Sequence, residues 1–516
     1  MLQTVSSAKI DIPNTLFEKD WPTDCDLIVN AIGAKPQVVA LSRLQTMVEN
    51  VAAWLLERGL KRGDRVGILA LNCLEYILLD LAALRLGIVT AAFDPVAFSD
   101  RSDLVTNYDL AVLFVGKGHA GREAEPNRVL PIEQVPKLDE RNRQTELPSF
   151  RAYAPSDVCT IKFTSGSTGQ AKGLGATTGS INQSIQATQA LFAHGGSDRL
   201  LVVLPLSLLQ QRYWIYSAIV FEHDVIVTDS RLVIETIQTY KPTVIMGIPA
   251  LFDTLKEYVE LSCSGDGTDA SLRETARDFF GPDIRYLWTG SAAARPDTLQ
   301  FFEETCGVPI FEGYGLNETC IVTKNHPGAH KRGSVGKPLD GVKVTVSPDG
   351  IIHVRREHPV NTRYLYAAPG ASEKIFQEDG SVITGDLGHL DDDGYLYIKG
   401  RADDLIVLTN GKTLTVRSIE ETLLRLPEVR QAMVIGTGFP ALGALVCPAP
   451  GHEPAQVKAA IRQATRDLKP EPLALTIIVE DGFTMEAGLL TSQGKLKRSA
   501  ILKHYADDIT QAYEQF

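Results

Sequence analysis

The sequence predicts an α/β protein, with a large N-terminal domain of parallel-rich layers and a β-hairpin or barrel-like part, then a small C-terminal α+β domain. Three observations predict it. Short apolar, strand-like runs alternate with longer helix-like runs through most of the first ~400 residues, as layered βα units require. Near Lys343 the pattern changes to short runs separated by turn signals. From about Asp403 a smaller unit follows, with its own helices and strands.

Taken in order, RVGILAL (Arg65 to Leu71) reads as a strand and LEYILLDLAALRLG (Leu74 to Gly87) as a helix. CTIKFTS, LLVVLPL, DVIVTD, TVIMGIP and IRYLWTG are further strands, each leading toward a helical stretch. KVTVS, IIHVRR, YLYIKG and LIVLTN are separated by PDG, DDDG and NGK, the signature of antiparallel hairpins. SIEETLLRL reads as a helix with Ser418 as its cap and Glu420 and Glu421 early in it. QAMVIGT and ALGALVCP are strands, and a last helix runs through RSAILKHYADDITQAY. The boundary falls at Gly400 to Asp404, dividing the chain into 1–402 and 403–516.

The 516 residues are 44% hydrophobic and 22% charged, a globular composition large enough for roughly three units of ~150 residues. A formal net charge of −12 repels phosphate backbones and argues against a nucleic-acid partner. The seven cysteines are scattered without a C-x-x-C pair, and the ten histidines form no H-E-x-x-H, so neither a disulfide framework nor a zinc site is expected. The N-terminus lacks a basic start followed by an apolar core, and charges break the apolar stretches before they could span a bilayer. A cytoplasmic protein without a transmembrane segment is expected.

The most informative segment is FTSGSTGQAKG, Phe163 to Gly173, where an apolar strand enters a loop. Gly166 and Gly169 let backbone N–H groups approach a phosphate, and Thr164, Ser165, Ser167 and Thr168 add donors. Lys172 supplies a point charge. The spacing is not the Walker pattern G-x-x-x-x-G-K-[ST], because Gly166 lies six residues before Lys172 and Gly173 follows it.

This loop resembles the signature of the acyl-adenylate-forming enzymes, a family that includes acyl-CoA synthetases, nonribosomal adenylation domains and firefly luciferase. Five more segments resemble the family's in its order, from about Ala40 to the end. The resemblance implies ATP and Mg²⁺ as reactants and assigns roles. In EGYGLNET, Glu312, Gly313, Tyr314, Gly315 and Asn317 face the nucleotide, Tyr314 stacking on adenine, and Glu318 holds Mg²⁺ against the phosphates. In WTGSAAA, Gly290, Ser291 and Ala292 line the other adenine face. Asp386 in TGDLG accepts from both ribose hydroxyls and Arg401 contacts the ribose. Asp403 is the hinge of a mobile small domain, and Gly411 lines the thiol channel. Lys495 in LLTSQGKLKR bridges carboxylate and α-phosphate. GSVGKP, Gly333 to Pro338, matches a further segment whose glycines serve turns.

Three positions depart from the usual pattern: Asn317 for threonine, Thr178 for a frequent histidine, and Leu208 for an aromatic or histidine. Arg212 in LPLSLLQQR fits the long-chain acyl-CoA synthetase version. The resemblance implies activation of a carboxylic acid as acyl-adenylate with release of pyrophosphate, then transfer to the thiol of CoA. No aspartate lies between Pro205 and Trp214 to meet an α-amino group, so an apolar acid, fatty or aryl, is expected. Tyr213, Trp214, Met246, Gly247 and Gly290 are candidate pocket walls, and equally candidates for core. Two alternatives stay open: loading of an acyl or peptidyl carrier protein, and a noncatalytic nucleotide-binding homologue.

Overall fold

The computed structural model describes residues 10–99, 101–117, 126–137, 145–164, 171–263, 267–402, 404–466, 472–491 and 494–516. Two large sheets form the first part of the chain. In the six-stranded sheet the order is Val129–Pro131, Val112–Val115, Arg65–Leu69, Val89–Phe93, Val158–Thr164, Lys172–Thr177, and only the last pair is antiparallel. The nine-stranded sheet has a parallel centre, in which Asp224–Thr228, Arg199–Val202, Val244–Gly247, Tyr286–Thr289 and Ile310–Leu316 lie side by side. Antiparallel strands close its edges.

Two helices belong to the layers between. Leu74–Leu86 buries every residue except Arg85, and Leu209–Phe221 is nearly as enclosed. A helix apolar on all faces has no solvent side to present, so it packs within a core. Each fully buried Leu or Ile here adds about 1.5–3 kcal/mol of hydrophobic stabilisation. The two helices also share one charged contact. Arg212 and Asp80 are 1% and 4% exposed, and Arg212 Nη1 donates to Asp80 Oδ1 at 2.6 Å and to Thr160 Oγ1 at 3.0 Å. The Tyr216 hydroxyl takes the second carboxylate oxygen. Arg212, which in sequence fits the long-chain acyl-CoA synthetase version of this stretch, is in the structure an internal tie between layers.

A four-stranded antiparallel sheet follows, in the order Val342–Val346, Ile351–Arg356, Ser381–Leu390, Leu396–Arg401. The sequence reading found its flanking hairpin strands and missed Ser381–Leu390 as a strand, because two glycines and Asp386 interrupt its apolar pattern. In the last part of the chain, Val429–Ile435, Leu442–Pro448 and Leu473–Ile478 form a three-stranded sheet covered by helices.

Several local readings are corrected. CTIKFTS does not feed a helix directly. It turns back as the antiparallel strand Lys172–Thr177, and the helix Thr178–Phe192 follows, capped by Thr177 Oγ1 accepting from Ser180 N. Ser418 is not a cap: the helix Arg417–Leu424 begins one residue earlier, with Val416 at the cap position. The final helix is two, Arg498–His504 and Ala506–Glu514, broken where Tyr505 leaves helical geometry at φ −104° and ψ 23°.

Candidate active site

The strand Val158–Thr164 and its return Lys172–Thr177 place Thr164 and Lys172 opposite one another, at the base of the phosphate loop. Ser165, Gly166, Ser167, Thr168 and Gly169 lie outside the described residues. Gly173 exchanges backbone hydrogen bonds with Leu365, at 2.8 and 2.7 Å. A Cβ at Gly173 would meet the Tyr366 ring at 2.9 Å, so the close approach depends on glycine. That seam docks the segment Asn361 to Tyr366 on the hairpin and fixes Tyr364. The Lys172 ammonium lies 4.7 Å from the centre of the Tyr364 ring, and the Tyr364 hydroxyl donates to Glu318 Oε1 at 2.8 Å. Tyr364 thus joins the two groups expected to meet the ATP phosphates. Sequence reasoning passed over it, and the aromatic pair in YLY was the one available signal.

Glu318 and Asn317 occupy the turn between Ile310–Leu316 and Cys320–Lys324. Thr319 Oγ1 closes the turn by accepting from Leu316 N at 3.1 Å. The two strands run unusually close at Gly315, where a Cβ would fall 2.0 Å from the Cys320 carbonyl oxygen. Gly290 approaches the same hairpin, with its Cβ position 3.2 Å from the Gly313 oxygen. Ser291 and Ala292 continue as an exposed turn, and Ser291 holds φ +71°, a strained value for a side-chain-bearing residue.

Asp386 and Arg401 are cross-strand partners in the four-stranded sheet, so register alone brings them together. Arg401 Nη1 donates to Asp386 Oδ1 at 3.2 Å, and the Tyr314 hydroxyl donates to Asp386 Oδ2 at 2.5 Å. The carboxylate is 5% exposed and is oriented by donors on both oxygens. The adenine and ribose candidates therefore touch directly, from two different sheets.

Lys495 comes from the far end of the chain. It follows Gly494, whose φ is +71° and where an added Cβ would lie 3.6 Å from Ile248 Cδ1. Lys495 is exposed as a residue, and Asp386, Arg401 and Glu318 are close enough to act on its ammonium electrostatically. Desolvation, helped by the Arg401 charge, outweighs the two carboxylates and holds this lysine below its ordinary range. Gly411 instead occupies an exposed turn of the two-stranded hairpin Leu405–Val407 and Thr413–Thr415. Asp403 lies outside the described residues.

Glu312 shares this cleft with Lys324 and with Arg417 of the small domain. Burial pushes its carboxyl up to about 7, against the opposing pull of those two cations. A group raised in the fold stabilises it below the ordinary carboxylate range, and that contribution is lost as pH rises toward 7. Glu312→Gln should therefore gain stability relative to the unsubstituted protein between about pH 4.5 and 7. Thermal unfolding across that window, compared for the two proteins, checks it; parallel curves would refute the shift.

The proposed acid wall is mixed. Trp214 and Met246 are 1% and 2% exposed and belong to the core, Trp214 packing edge-on to Trp288 at 5.4 Å. Gly247 accommodates Leu251, whose Cδ2 would lie 2.4 Å from a Cβ there. Tyr213 is 0% exposed and belongs to the same core, with its hydroxyl 3.2 Å from Cys320 Sγ. Thr178 Oγ1 is committed to the Ala154 oxygen at 2.8 Å, and Leu208 stands at the N-cap of the helix Leu209–Phe221.

Candidate residues from the six-, nine- and four-stranded sheets converge within reach of a lysine of the small C-terminal domain, the arrangement expected of the adenylate-forming class. The chain belongs to the AMP-binding enzyme family, whose profile matches residues 30–350, and residues 403–516 match the AMP-binding enzyme C-terminal domain. It is similar to the long-chain-fatty-acid–CoA ligase FadD15 of Mycobacterium bovis, 27% identical over 92% of each chain. The 2-succinylbenzoate–CoA ligase of Bacillus subtilis is 27% identical over 78% of this chain and 80% of that one. Among solved structures, the Bacillus subtilis O-succinylbenzoate CoA synthetase in complex with ATP and magnesium superposes with a TM-score of 0.76 at 22% identity, over 94% of this chain and 98% of that one. The chain is an AMP-forming acid–thiol ligase of the acyl-CoA synthetase type.

Proposed function

We propose that this ligase activates an apolar carboxylic acid, fatty or aryl, and transfers it to CoA. The observation that carries the site assignment is the convergence of Tyr314 and Arg401 on Asp386, within electrostatic reach of Lys495. Asp386 and Arg401 hold the ribose, and Tyr314, fixed by Asp386, faces the adenine. Glu318 suits Mg²⁺, which takes one or two carboxylates and completes its shell with substrate phosphates and water. When bound, the ion offsets phosphate charge.

The acid carboxylate attacks the α-phosphorus in line and pyrophosphate leaves. Lys495 sits between the two anions and lowers their repulsion, and Lys172 offsets charge on the departing phosphates. In the second step the small domain turns about Asp403, withdrawing Lys495, and the loop at Gly411 lines the thiol path. The thiol then attacks the mixed anhydride and AMP leaves. The Asn317 side chain accepts and donates no hydrogen bond among the described residues, and its amide is available to the α-phosphate.

Relatives named for a long-chain fatty acid and for 2-succinylbenzoate support an apolar acid and CoA as acceptor. All seven cysteines are free, which supports a cytoplasmic setting. No helix among the described residues is long and apolar enough to cross a membrane. The test is pyrophosphate release with ATP and Mg²⁺ across fatty, aryl and amino acids, with and without CoA. Release that follows one acid class, with thioester formed on CoA, is expected. ATP binding without release for any acid would overturn the reading.

A further inference from the structure

Tyr364 touches two groups on which the phosphate chemistry depends, yet the reaction as written gives it no task. Its hydroxyl donates to Glu318 Oε1 at 2.8 Å, and the Lys172 ammonium lies 4.7 Å from the centre of its ring. Three contacts fix the tyrosine itself. Its backbone N–H donates to Ser372 Oγ at 3.0 Å, and its ring packs edge-on against Phe376 at 5.1 Å. The next residue, Leu365, is pinned to Gly173 by the paired backbone bonds. Tyr366 continues the anchor. Its hydroxyl donates to the Tyr108 carbonyl and accepts from Arg65 Nη1, both at 3.0 Å, and its φ is +59°. Such a strained value persists only where the surroundings over-determine it. The segment from Tyr364 to Tyr366 is a brace built against the phosphate-loop hairpin.

Glu318 has no comparable support of its own. It stands in the turn between Ile310–Leu316 and Cys320–Lys324, and among the described residues Tyr364 is the only hydrogen-bond partner of its carboxylate. A donor on one oxygen orients the carboxylate and leaves the other oxygen for a cation. Mg²⁺ demands near-ideal octahedral geometry, so an unoriented carboxylate must be ordered at the expense of affinity. Hydrogen bonds from outside the ligand shell do this ordering in advance, and losing one costs about 10- to 100-fold in metal affinity or activity. The face of the same ring attracts the Lys172 ammonium. One side chain thus orders a cation and a carboxylate from two different sheets.

We propose that Tyr364 is a positioning residue of the adenylation step: its hydroxyl commits Glu318 Oε1 and leaves Oε2 for Mg²⁺, while its ring steadies Lys172. The inference rests on the assignment of Glu318 to the metal and deepens it, because metal affinity then depends on a side chain outside the segments singled out in the sequence.

The experiment measures ATP affinity calorimetrically, in EDTA and at saturating Mg²⁺. The ratio of the two affinities is the metal's contribution. Tyr364→Phe keeps the ring and removes only the hydroxyl. It should lower the ratio about 10-fold, leave the affinity in EDTA unchanged, and raise the Mg²⁺ concentration for half-maximal pyrophosphate release by the same factor. Glu318→Gln should lower the ratio at least as far. Tyr364→Phe added to Glu318→Gln should then change nothing more, because the hydroxyl acts through that carboxylate. Tyr364→Leu also removes the ring and should weaken ATP binding in EDTA by about 3-fold. If Tyr364→Leu fails to fold, Tyr364→Phe and the double variant decide. A ratio unchanged in Tyr364→Phe but lowered in Glu318→Gln overturns the inference and leaves the metal assignment standing. So does a further loss in the double variant, which would place the effect of the hydroxyl elsewhere. A ratio unchanged in Glu318→Gln overturns both.

Discussion

Lys495→Ala should slow pyrophosphate release by about 100- to 1,000-fold, the range for losing one preorganised charge at a developing anion. The fold should be untouched. Lys495 is exposed, its backbone N–H donates to Thr491 Oγ1 and its carbonyl accepts from Thr491 N, and no core cluster includes it. The thermal midpoint should therefore stay where it is while adenylation collapses. Thioester formation from a supplied acyl-adenylate should proceed normally, because this lysine is withdrawn in that step. A variant that adenylates at the original rate would remove Lys495 from the chemistry. Equal loss in both steps would instead indicate damage to the nucleotide cleft.

Arg212→Met should cost about 3–5 kcal/mol of stability, the range for breaking a buried ion pair from one side. Asp80 would then be a carboxylate 4% exposed with its cation gone, still held by Tyr216. Most of the penalty belongs to that orphaned charge. Asp80→Leu combined with Arg212→Met should accordingly recover much of it, since apolar replacement of both partners is often nearly neutral. Urea unfolding of the three proteins measures this. A single substitution costing under about 1 kcal/mol would mean the pair contributes little to the layer contact.

Much of this architecture was legible in the chain itself. Parallel strands and their helices announce themselves through short apolar runs, and the two enclosed helices through apolar residues on every face. The strand Ser381–Leu390 was less visible because its glycines and Asp386 serve the site at the expense of pattern. The same division holds for the cleft. Asp386, Arg401, Tyr314, Glu318 and Lys495 stood in recognisable segments, and the structure brings them together. Tyr364 did not, since it acquires its meaning from Glu318, 46 residues away in sequence. Arg212 was visible as part of a family segment, but a guanidinium in a helix gives no hint of which carboxylate it will find.

The tight hairpin at Gly315 sets where this segment can drift. With a carbonyl oxygen 2.0 Å from any added Cβ, Gly315 is closed to every other amino acid without moving the opposing strand. Two residues on, Asn317 lies in the turn itself, and its side chain makes no hydrogen bond among the described residues. The site therefore has a rigid spine and an editable tip. The departure at position 317 falls on the part of the turn where evolution can retune contact with the nucleotide without rebuilding the fold.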